Sequence, residues 1–271
     1  MSVRSARSLP RRSGVPGLLL LLLLFSAVAH SQTGWYAIGS VQASGGQFAT
    51  ATYSRVYTVS TGLRYQAEEY GLTVVLPFVS SNSGLTQSSG STMPSGMNPS
   101  LGSTMSGNGM DLGIGDLNGY FDYRAYSDDE SSIAVYVNGQ VKAPTSSPNK
   151  NIGTGQWDLS GSITVRKTMG DYLGFVDVGY LDIGDPDGIT YNNPFSYGVG
   201  VGRFFEDGKY SLLLYYGGYS KILDIYDPPQ QISLGSNYRL SENVILSMIG
   251  SKGIGNSVPD FTFSGGVRIK L

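Results

Sequence analysis

The residue types that most enzymatic chemistry requires are scarce in this sequence. Its 271 residues include no cysteine and a single histidine, His30, which lies in the N-terminal region. A hydrolase of the nucleophile–base kind needs a base such as histidine within hydrogen-bonding reach, and zinc sites are built mainly from cysteine and histidine. The sequence therefore predicts a protein that is not an enzyme and that has no cofactor and no metal site.

Arginine is the charged residue with the most regular placement. One arginine lies close to the same end of every second predicted strand. The six are Arg64, Arg124, Arg166, Arg203, Arg239 and Arg268. Apolar and polar residues alternate along these strands, and all except Arg203 fall on the polar face. Arg203 shares its face with Tyr197 and Val201, and we expect it to extend toward lipid headgroups.

Four aspartates share the polar faces and are candidate partners for these arginines. They are Asp116, Asp122, Asp158 and Asp177. If the polar faces line a lumen, one interpretation is a basic constriction that sets ion or solute preference, as rings of charge do in pores. The other is an internal lattice of ion pairs that keeps a narrow lumen shut. The sequence supports both interpretations equally.

The elements that must position these residues are β-strands. The clearest alternation lies in 132–144, 154–167 and 260–271, each about as long as a tilted strand that crosses a bilayer. Counting back from the C-terminus predicts twelve strands, at 260–271, 244–252, 229–240, 210–221, 194–205, 172–183, 154–167, 132–144, 112–126, 71–80, 52–66 and 34–42.

The connections between these strands alternate between short turns and longer loops. The short ones lie at 67–70, 127–131, 169–171, 206–209 and 241–243, and the longer ones near 43–52, 81–111, 145–153, 184–193, 222–228 and 253–259. Outer-membrane barrels have short periplasmic turns, longer extracellular loops and an even strand number. We therefore predict an all-β, transmembrane antiparallel barrel of twelve strands with periplasmic termini. The glycine-rich stretch 43–48 could be a bulge instead of a loop.

Both ends of the chain support this prediction. Residues 1–31 contain four arginines, the apolar run 18–25 and small residues before position 32, which predicts a signal peptide and a barrel domain at 32–271. Its removal changes the formal net charge from −2 to −6, which argues against nucleic-acid binding. The final strand ends at Leu271 and resembles the signal that the barrel-assembly machinery reads.

Aromatic residues near the predicted periplasmic rim predict a girdle in contact with outer-membrane lipid: Trp35, Tyr36, Tyr65, Tyr123, Tyr172, Phe205, Tyr210 and Tyr238.

The segment 81–111 is rich in serine and glycine and contains four methionines, at positions 93, 97, 105 and 110. Flexible thioethers at the mouth of a lumen could accept apolar solutes. The composition agrees better with a surface loop, because it offers little apolar area for ordering the segment. The stretch Gly113-Ile114-Gly115-Asp116 lacks the third glycine and the following helix of a nucleotide-binding loop. We give it a structural role, in which the glycines bend the strand and Asp116 enters the lumen.

Short motifs resemble a family of outer-membrane barrels associated with the MetA pathway of phenol degradation. The motifs are Gly113 to Leu117, Lys142 to Thr145, Gly153 to Leu159, Gly174 to Tyr180, and Tyr70-Gly71-Leu72 through Leu76-Pro77-Phe78. The resemblance implies a barrel that takes up small, often aromatic or hydrophobic compounds.

The sequence and the resemblance together predict an outer-membrane channel of Gram-negative type for the diffusion of small solutes, plausibly hydrophobic or aromatic ones. A structural or surface-interaction barrel with a closed lumen is the main alternative, and a secreted soluble β-sandwich is a weaker one. A barrel of twelve strands is intermediate between barrels filled by side chains and barrels with a wide aqueous channel. The sequence leaves the oligomeric state open.

Overall fold

Strands account for the regular structure in the part of the chain that the computed structural model describes, residues 33–47, 53–81, 111–146, 152–186 and 190–271. The strands are β1 (Gly34–Gly46), β2 (Ser54–Gln66), β3 (Tyr70–Ser81), β4 (Asp111–Ile114), β5 (Leu117–Asp128), β6 (Ile133–Ala143), β7 (Asp158–Met169), β8 (Tyr172–Ile183), β9 (Phe195–Phe205), β10 (Tyr210–Tyr219), β11 (Gln230–Arg239), β12 (Val244–Ile254) and β13 (Phe261–Lys270). None of the described residues belongs to a helix long and apolar enough to span a bilayer. The predicted signal segment and residues 82–110 lie outside the described residues.

The sheet closes on itself. Each strand pairs antiparallel with its neighbours in the ring. The first strand, β1, pairs with β13 on one side and with β2 on the other, and the pairing of β2 with β3 completes the circle. The segments β4 and β5 both pair with β3, so they are two halves of one strand, interrupted at Gly115 and Asp116. At the break, the Gly115 amide donates to the Pro77 carbonyl at 2.8 Å. The prediction of a closed antiparallel barrel of twelve strands is confirmed.

The alternation of residue types determines which side chains face outward. On β7, Leu159 and Ile163 are 51% and 49% exposed, whereas Asp158 and Thr164 are each 2% exposed. Successive strand residues point to opposite faces, so the barrel has an apolar exterior and a polar interior on this strand. The same pattern holds on β2, where Val59 and Leu63 are exposed and Ser60 and Arg64 are buried.

The two ends of the barrel differ in their connections. One end, the short-turn rim, holds the connections 67–69, 129–132, 170–171, 206–209 and 240–243. The chain ends there too, since the Leu271 amide donates to the Trp35 carbonyl at 2.9 Å. In the turn 206–209, a hydrogen bond to Glu206 raises the pKa of Lys209. The other end, the long-loop rim, holds the remaining connections.

Seven of the eight aromatics predicted for the girdle face outward at the short-turn rim, and other outward aromatics, such as Phe195 and Phe261, lie near the long-loop rim. The rings of Trp35 and Tyr65 lie 5.2 Å apart, and those of Tyr210 and Tyr238 lie 5.0 Å apart. Tyr36 was expected in this girdle, but its side chain is buried inside the barrel. The reason is strand parity, because Tyr36 follows the outward-facing Trp35 and must point to the opposite face.

Two predicted strand ends are wrong. The strand β1 continues to Gly46 without a loop or bulge at 43–46, because Gly45 is paired on both sides, to Arg55 and to Phe261. The strand β7 begins at Asp158 instead of residue 154. Thr154 lies in a loop, where its hydroxyl accepts hydrogen bonds from Lys142 Nζ and the Gln156 amide.

Candidate functional site in the lumen

Two separate groups of charged side chains lie inside the barrel. The first, the basic cluster, contains Arg64, Asp122, Arg166 and Arg268 and lies toward the short-turn rim. The second, the lysine cluster, contains Lys142, Asp116 and Asp158 and lies toward the long-loop rim. The strands β2, β5, β7 and β13 contribute to the first group, and the start of β5 and the facing ends of β6 and β7 contribute to the second. The lumen therefore has different electrostatics at its two ends.

Arg64 and Asp122 form the one ion pair of the basic cluster. The Nη1–Oδ1 distance is 2.8 Å and the Nη2–Oδ2 distance is 2.9 Å, which is the two-pronged geometry that favours arginine over lysine. Arg64 Nη1 also donates to Thr73 Oγ1 at 3.0 Å, and Arg64 is 3% exposed. The pairing of Asp122 with an arginine agrees with the sequence prediction.

The lack of a side chain at Gly71 leaves room for this ion pair. A methyl group at Gly71 would lie 2.1 Å from Arg64 Nη2 and 2.8 Å from Asp122 Oδ1. We expect Gly71→Ala to lower the free energy of unfolding by roughly 1–3 kcal/mol, the usual cost of overpacking. Gly174→Ala is the matched control, because Gly174 faces outward and its nearest atom, Met169 Cε, is 3.9 Å away. Urea unfolding followed by tryptophan fluorescence measures both, and equal losses would contradict the steric argument.

Arg166 and Arg268 each stack on a tyrosine instead of pairing with a carboxylate. The Arg166 guanidinium lies 4.3 Å from the centre of the Tyr136 ring, and that of Arg268 lies 5.2 Å from the Tyr36 ring. Arg166 is 6% exposed, and its Nη1 atom is buried without a hydrogen-bond partner. A buried donor of this kind has a strong preference for an acceptor.

The basic cluster has an excess of positive charge. Arg64 is near enough to Arg166 and to Arg268 for like charges to repel, and Asp122 attracts Arg166. The cluster thus contains three guanidinium groups and one carboxylate. Since β2 and β7 are separated in the ring by β3, β5 and β6, the cluster reaches across the lumen. Such an arrangement favours an anion over a cation at this level of the barrel.

The remaining predicted arginines lie elsewhere. Arg124 is half-buried on β5, next to a bulge between Arg124 and Tyr126. Arg239 is half-buried at the end of β11, where its Nη2 lies 3.4 Å from the Cβ position of Gly208 in a rim turn. Arg203 faces outward, as predicted, with its guanidinium 5.2 Å and 4.9 Å from the ring centres of Tyr172 and Phe205.

The lysine cluster corrects the prediction that Asp116 and Asp158 pair with arginine. Lys142 Nζ lies 2.7 Å from Asp158 Oδ2 and 3.8 Å from Asp116 Oδ2, and the Lys142 side chain is 0% exposed. Lys142 and Asp158 are register partners on β6 and β7, whereas the arginines lie near the opposite rim. Lys142 is not among the predicted lumenal residues, although the alternation along β6 puts it on the polar face.

The two aspartates also fasten two loops of the long-loop rim, Asp116 the loop between β6 and β7 and Asp158 the loop between β8 and β9. Asp116 Oδ1 accepts from the Ser146 amide at 2.9 Å, and Asp158 Oδ1 accepts from the Gly184 amide at 3.2 Å. Lys142 Nζ donates to Thr154 Oγ1 at 3.0 Å. The lysine cluster therefore joins strand ends to loop residues and has a structural role at the long-loop rim.

Asp177 also has a partner other than arginine. The Tyr215 hydroxyl donates to Asp177 at 3.4 Å, and the attraction between Asp177 and Arg166 is a weaker interaction. The rings of Phe175 and Tyr215 are stacked at 5.8 Å with 17° between their planes. They lie against glycines of β9, since a methyl group at Gly200 would be 2.4 Å from Phe175.

The interior wall is apolar on one side. Buried apolar and aromatic residues from β8, β10 and β12 form a single cluster with residues of the adjoining loops, namely Phe175, Leu181, Ile183, Tyr191, Leu213, Tyr215, Tyr219, Ile222, Ile249 and Val258. Arg166 and Phe175 are register partners, so the basic cluster directly adjoins this apolar wall. The barrel interior thus contains a charged cluster and a packed apolar cluster side by side.

Comparison with known proteins supports the architecture. No protein-family model matches the chain, and no curated protein matches it. Solved structures, however, match the chain. A COG4313 outer-membrane channel from Pseudomonas putida F1 is 14% identical, with a TM-score of 0.65 over 100% of both chains. The NanC porin is 12% identical, with a TM-score of 0.52 over 88% of this chain and 100% of that one.

The KdgM porin is a third similar structure, 8% identical with a TM-score of 0.51 over 87% of this chain and 99% of that one. At these identities the likeness concerns the fold, which is one that outer-membrane channels share. The resemblance to the phenol-degradation family stays a prediction.

Proposed function

We propose that the protein is an outer-membrane channel through which small solutes diffuse, without catalysis and without a cofactor. The observation that supports this proposal most is the basic cluster, a positively charged group across the interior of a closed barrel with an apolar exterior. Arg166 Nη1, which no described residue accepts from, can donate a hydrogen bond to an anionic or polar solute. The similarity of the fold to outer-membrane channels and porins supports the same function.

The proposal includes the placement of the protein in the envelope. Residues 1–31 direct export, the short-turn rim with both termini faces the periplasm, and the long-loop rim faces outward. Tight turns on one rim and longer connections on the other support this orientation. The amphipathic strand β13, which ends the chain, is the proposed contact with the barrel-assembly machinery.

The solutes that we propose are small apolar or aromatic compounds, and among them those with a negative charge pass most readily. The packed apolar cluster of Phe175, Leu213, Tyr215 and Ile249 makes the interior beside the basic cluster apolar, which favours the hydrophobic part of such a solute there. Arg166 and Arg268 can hold the anionic part. The resemblance to barrels associated with phenol degradation supports an aromatic class.

A barrel with a closed lumen remains the second candidate function. It is favoured by the burial of interior side chains such as Lys142, Asp158, Ser233 and Ser264, all 2% exposed or less. In that case the ion pairs brace the wall, and the loops at the long-loop rim make the functional contacts.

Liposome swelling separates the two candidates. Purified protein is reconstituted in liposomes, which are transferred to isotonic solutions of neutral and anionic solutes of increasing size. We expect swelling with small solutes, a steep decline as the solute grows, and faster swelling for an aromatic carboxylate than for a neutral sugar of similar mass. Swelling no faster than that of protein-free liposomes for every solute would support the closed barrel.

A further inference from the structure

The connection between β6 and β7 turns into the barrel at the long-loop rim. Ile152 in this connection is 4% exposed and forms one apolar cluster with Val56 on β2 and Val79 on β3. Both valines are 1% exposed and lie on the inward faces of their strands. In the ring, β5 lies between β6 and β3. A connection that joins β6 to β7 therefore reaches past β5 to the inner wall formed by β3 and β2.

The two residues after Ile152 follow the inner wall back toward β6. A methyl group at Gly153 would lie 2.6 Å from Asp116 Oδ2, so Gly153 packs directly against the residue that precedes β5. Thr154 Oγ1 accepts a hydrogen bond from Lys142 Nζ at 3.0 Å, close to the end of β6. Residues 152–154, the inward segment, thus have an apolar attachment at one end and a polar attachment at the other.

Loops on the opposite side of the mouth also pack inward. Tyr191, Ile222 and Val258 come from the connections β8–β9, β10–β11 and β12–β13, and all three are buried in the apolar cluster that includes the interior residue Leu181. The Asn192 amide donates to the Ile222 carbonyl at 2.8 Å, which joins two of these loops. A solute that enters at the long-loop rim therefore passes between this packed side and the inward segment.

We propose that the inward segment sets the size of the largest solute that the channel admits, and that Ile152 determines this limit. The inference rests on the proposed function, because a size limit requires an open path. While Ile152 contacts Val56 and Val79, the segment occupies part of the cross-section of the mouth, and the diameter of a pore decides which solutes pass. Release of Ile152 from the two valines would free this end of the segment and widen the mouth.

The polar attachment has a different part in this proposal. Lys142 and Asp116 hold the segment at a fixed position beside β5 and β6. The contact of Ile152 with Val56 and Val79 then decides how far the segment lies along the inner wall. This division explains why an apolar side chain in a loop is buried inside a barrel whose wall is polar at many other positions.

Liposome swelling with neutral oligosaccharides of increasing size tests the proposal, and neutral probes keep the basic cluster out of the comparison. Ile152→Ser should admit sugars that the wild type excludes at least about tenfold faster, because burial of an isoleucine side chain shifts an equilibrium between seated and released positions by at least that factor. Swelling with the smallest sugar should change little. Ile152→Val retains an apolar contact and should retain the wild-type limit.

Ile225→Ser is the matched control, because it is the same substitution in a loop of the same rim and Ile225 is 72% exposed. It should retain the wild-type limit, and heat-modifiable migration verifies that each variant is folded. An unchanged limit in Ile152→Ser, or an equally raised limit in Ile225→Ser, would overturn the proposal. No swelling in the wild type with any solute would overturn the proposed channel itself, and the size limit with it.

A second pair of variants tests the segment without a change at Ile152. Gly153→Ala places a methyl group against Asp116 and should also raise the size limit. Gly155→Ala is its control, because Gly155 also has a positive φ, of +71°, but no atom lies within 4 Å of its Cβ position. An equal effect of the two substitutions would count against the inward segment as the determinant of size.

Discussion

Lys142→Met should destabilise the barrel by about 3–5 kcal/mol, the cost of breaking a buried ion pair. The substitution keeps the size of the side chain but leaves Asp116 and Asp158 buried with no cation beside them. Asp158 is 2.7 Å from Lys142 Nζ, and both aspartates are 2% exposed. The loss should be visible in urea unfolding in detergent, followed by the fluorescence of Trp35 and Trp157.

A matched variant separates charge from packing. Lys142→Met combined with Asp116→Asn and Asp158→Asn removes all three charges at once and keeps the volumes similar. Replacing a whole buried ion pair by neutral groups is often tolerated, so this triple variant should regain much of the lost stability. If the single and triple variants were equally unstable, the role assigned to the lysine cluster would be wrong.

Neutralising Arg166 and Arg268 should reduce the preference of the channel for anions. Within the described part of the chain, neither guanidinium group pairs with a carboxylate as Arg64 does, and Arg166 Nη1 has no hydrogen-bond partner there. Removing a charge from a site near a protein surface changes the energy of an ion several ångströms away by roughly 1 kcal/mol. The double variant Arg166→Gln/Arg268→Gln should therefore lower the anion-to-cation permeability ratio by at least about fivefold.

Reversal potentials in planar bilayers with a salt gradient measure this ratio. Arg203→Gln is the control, because Arg203 faces outward and lies over Tyr172 and Phe205. It should give the wild-type reversal potential. An unchanged potential in the Arg166→Gln/Arg268→Gln variant would show that the basic cluster braces the wall and does not select ions.

Much of the fold could be predicted from the sequence, because a barrel strand has a simple pattern. The alternation of Leu159, Ile163 and Val165 with Ser160, Ser162 and Thr164 defines β7, and turn lengths define the strand number. The break between β4 and β5 could be expected only in part, from Gly113 and Gly115. The glycines around Gly45 predicted a loop or a bulge, but this stretch stays in the sheet because it is paired with a strand on each side.

The partners inside the lumen were harder to predict. Parity places Asp158 and Arg166 on the same face of β7, but eight residues of strand separate them by roughly 26 Å, so each finds its partner on another strand. The partner of an interior side chain depends on the register between two strands, and the residue pattern of a single strand does not determine that register. The register places Lys142 opposite Asp158 and Gly71 opposite Asp122. The apolar wall around Phe175 and Tyr215 was missed for a related reason, since interior aromatics on β8 and β10 have the same spacing as exterior ones.

The most direct test of the central claim, that the polar faces line a path for solutes, uses a single cysteine. The chain has no native cysteine, so Ser160→Cys on the interior face of β7 and Ile163→Cys on its outer face each introduce one reactive site. A charged methanethiosulfonate reagent added to planar bilayers should reduce the single-channel current of Ser160→Cys and leave that of Ile163→Cys unchanged. Absence of current in the unmodified proteins, or equal block of both variants, would contradict the proposed channel.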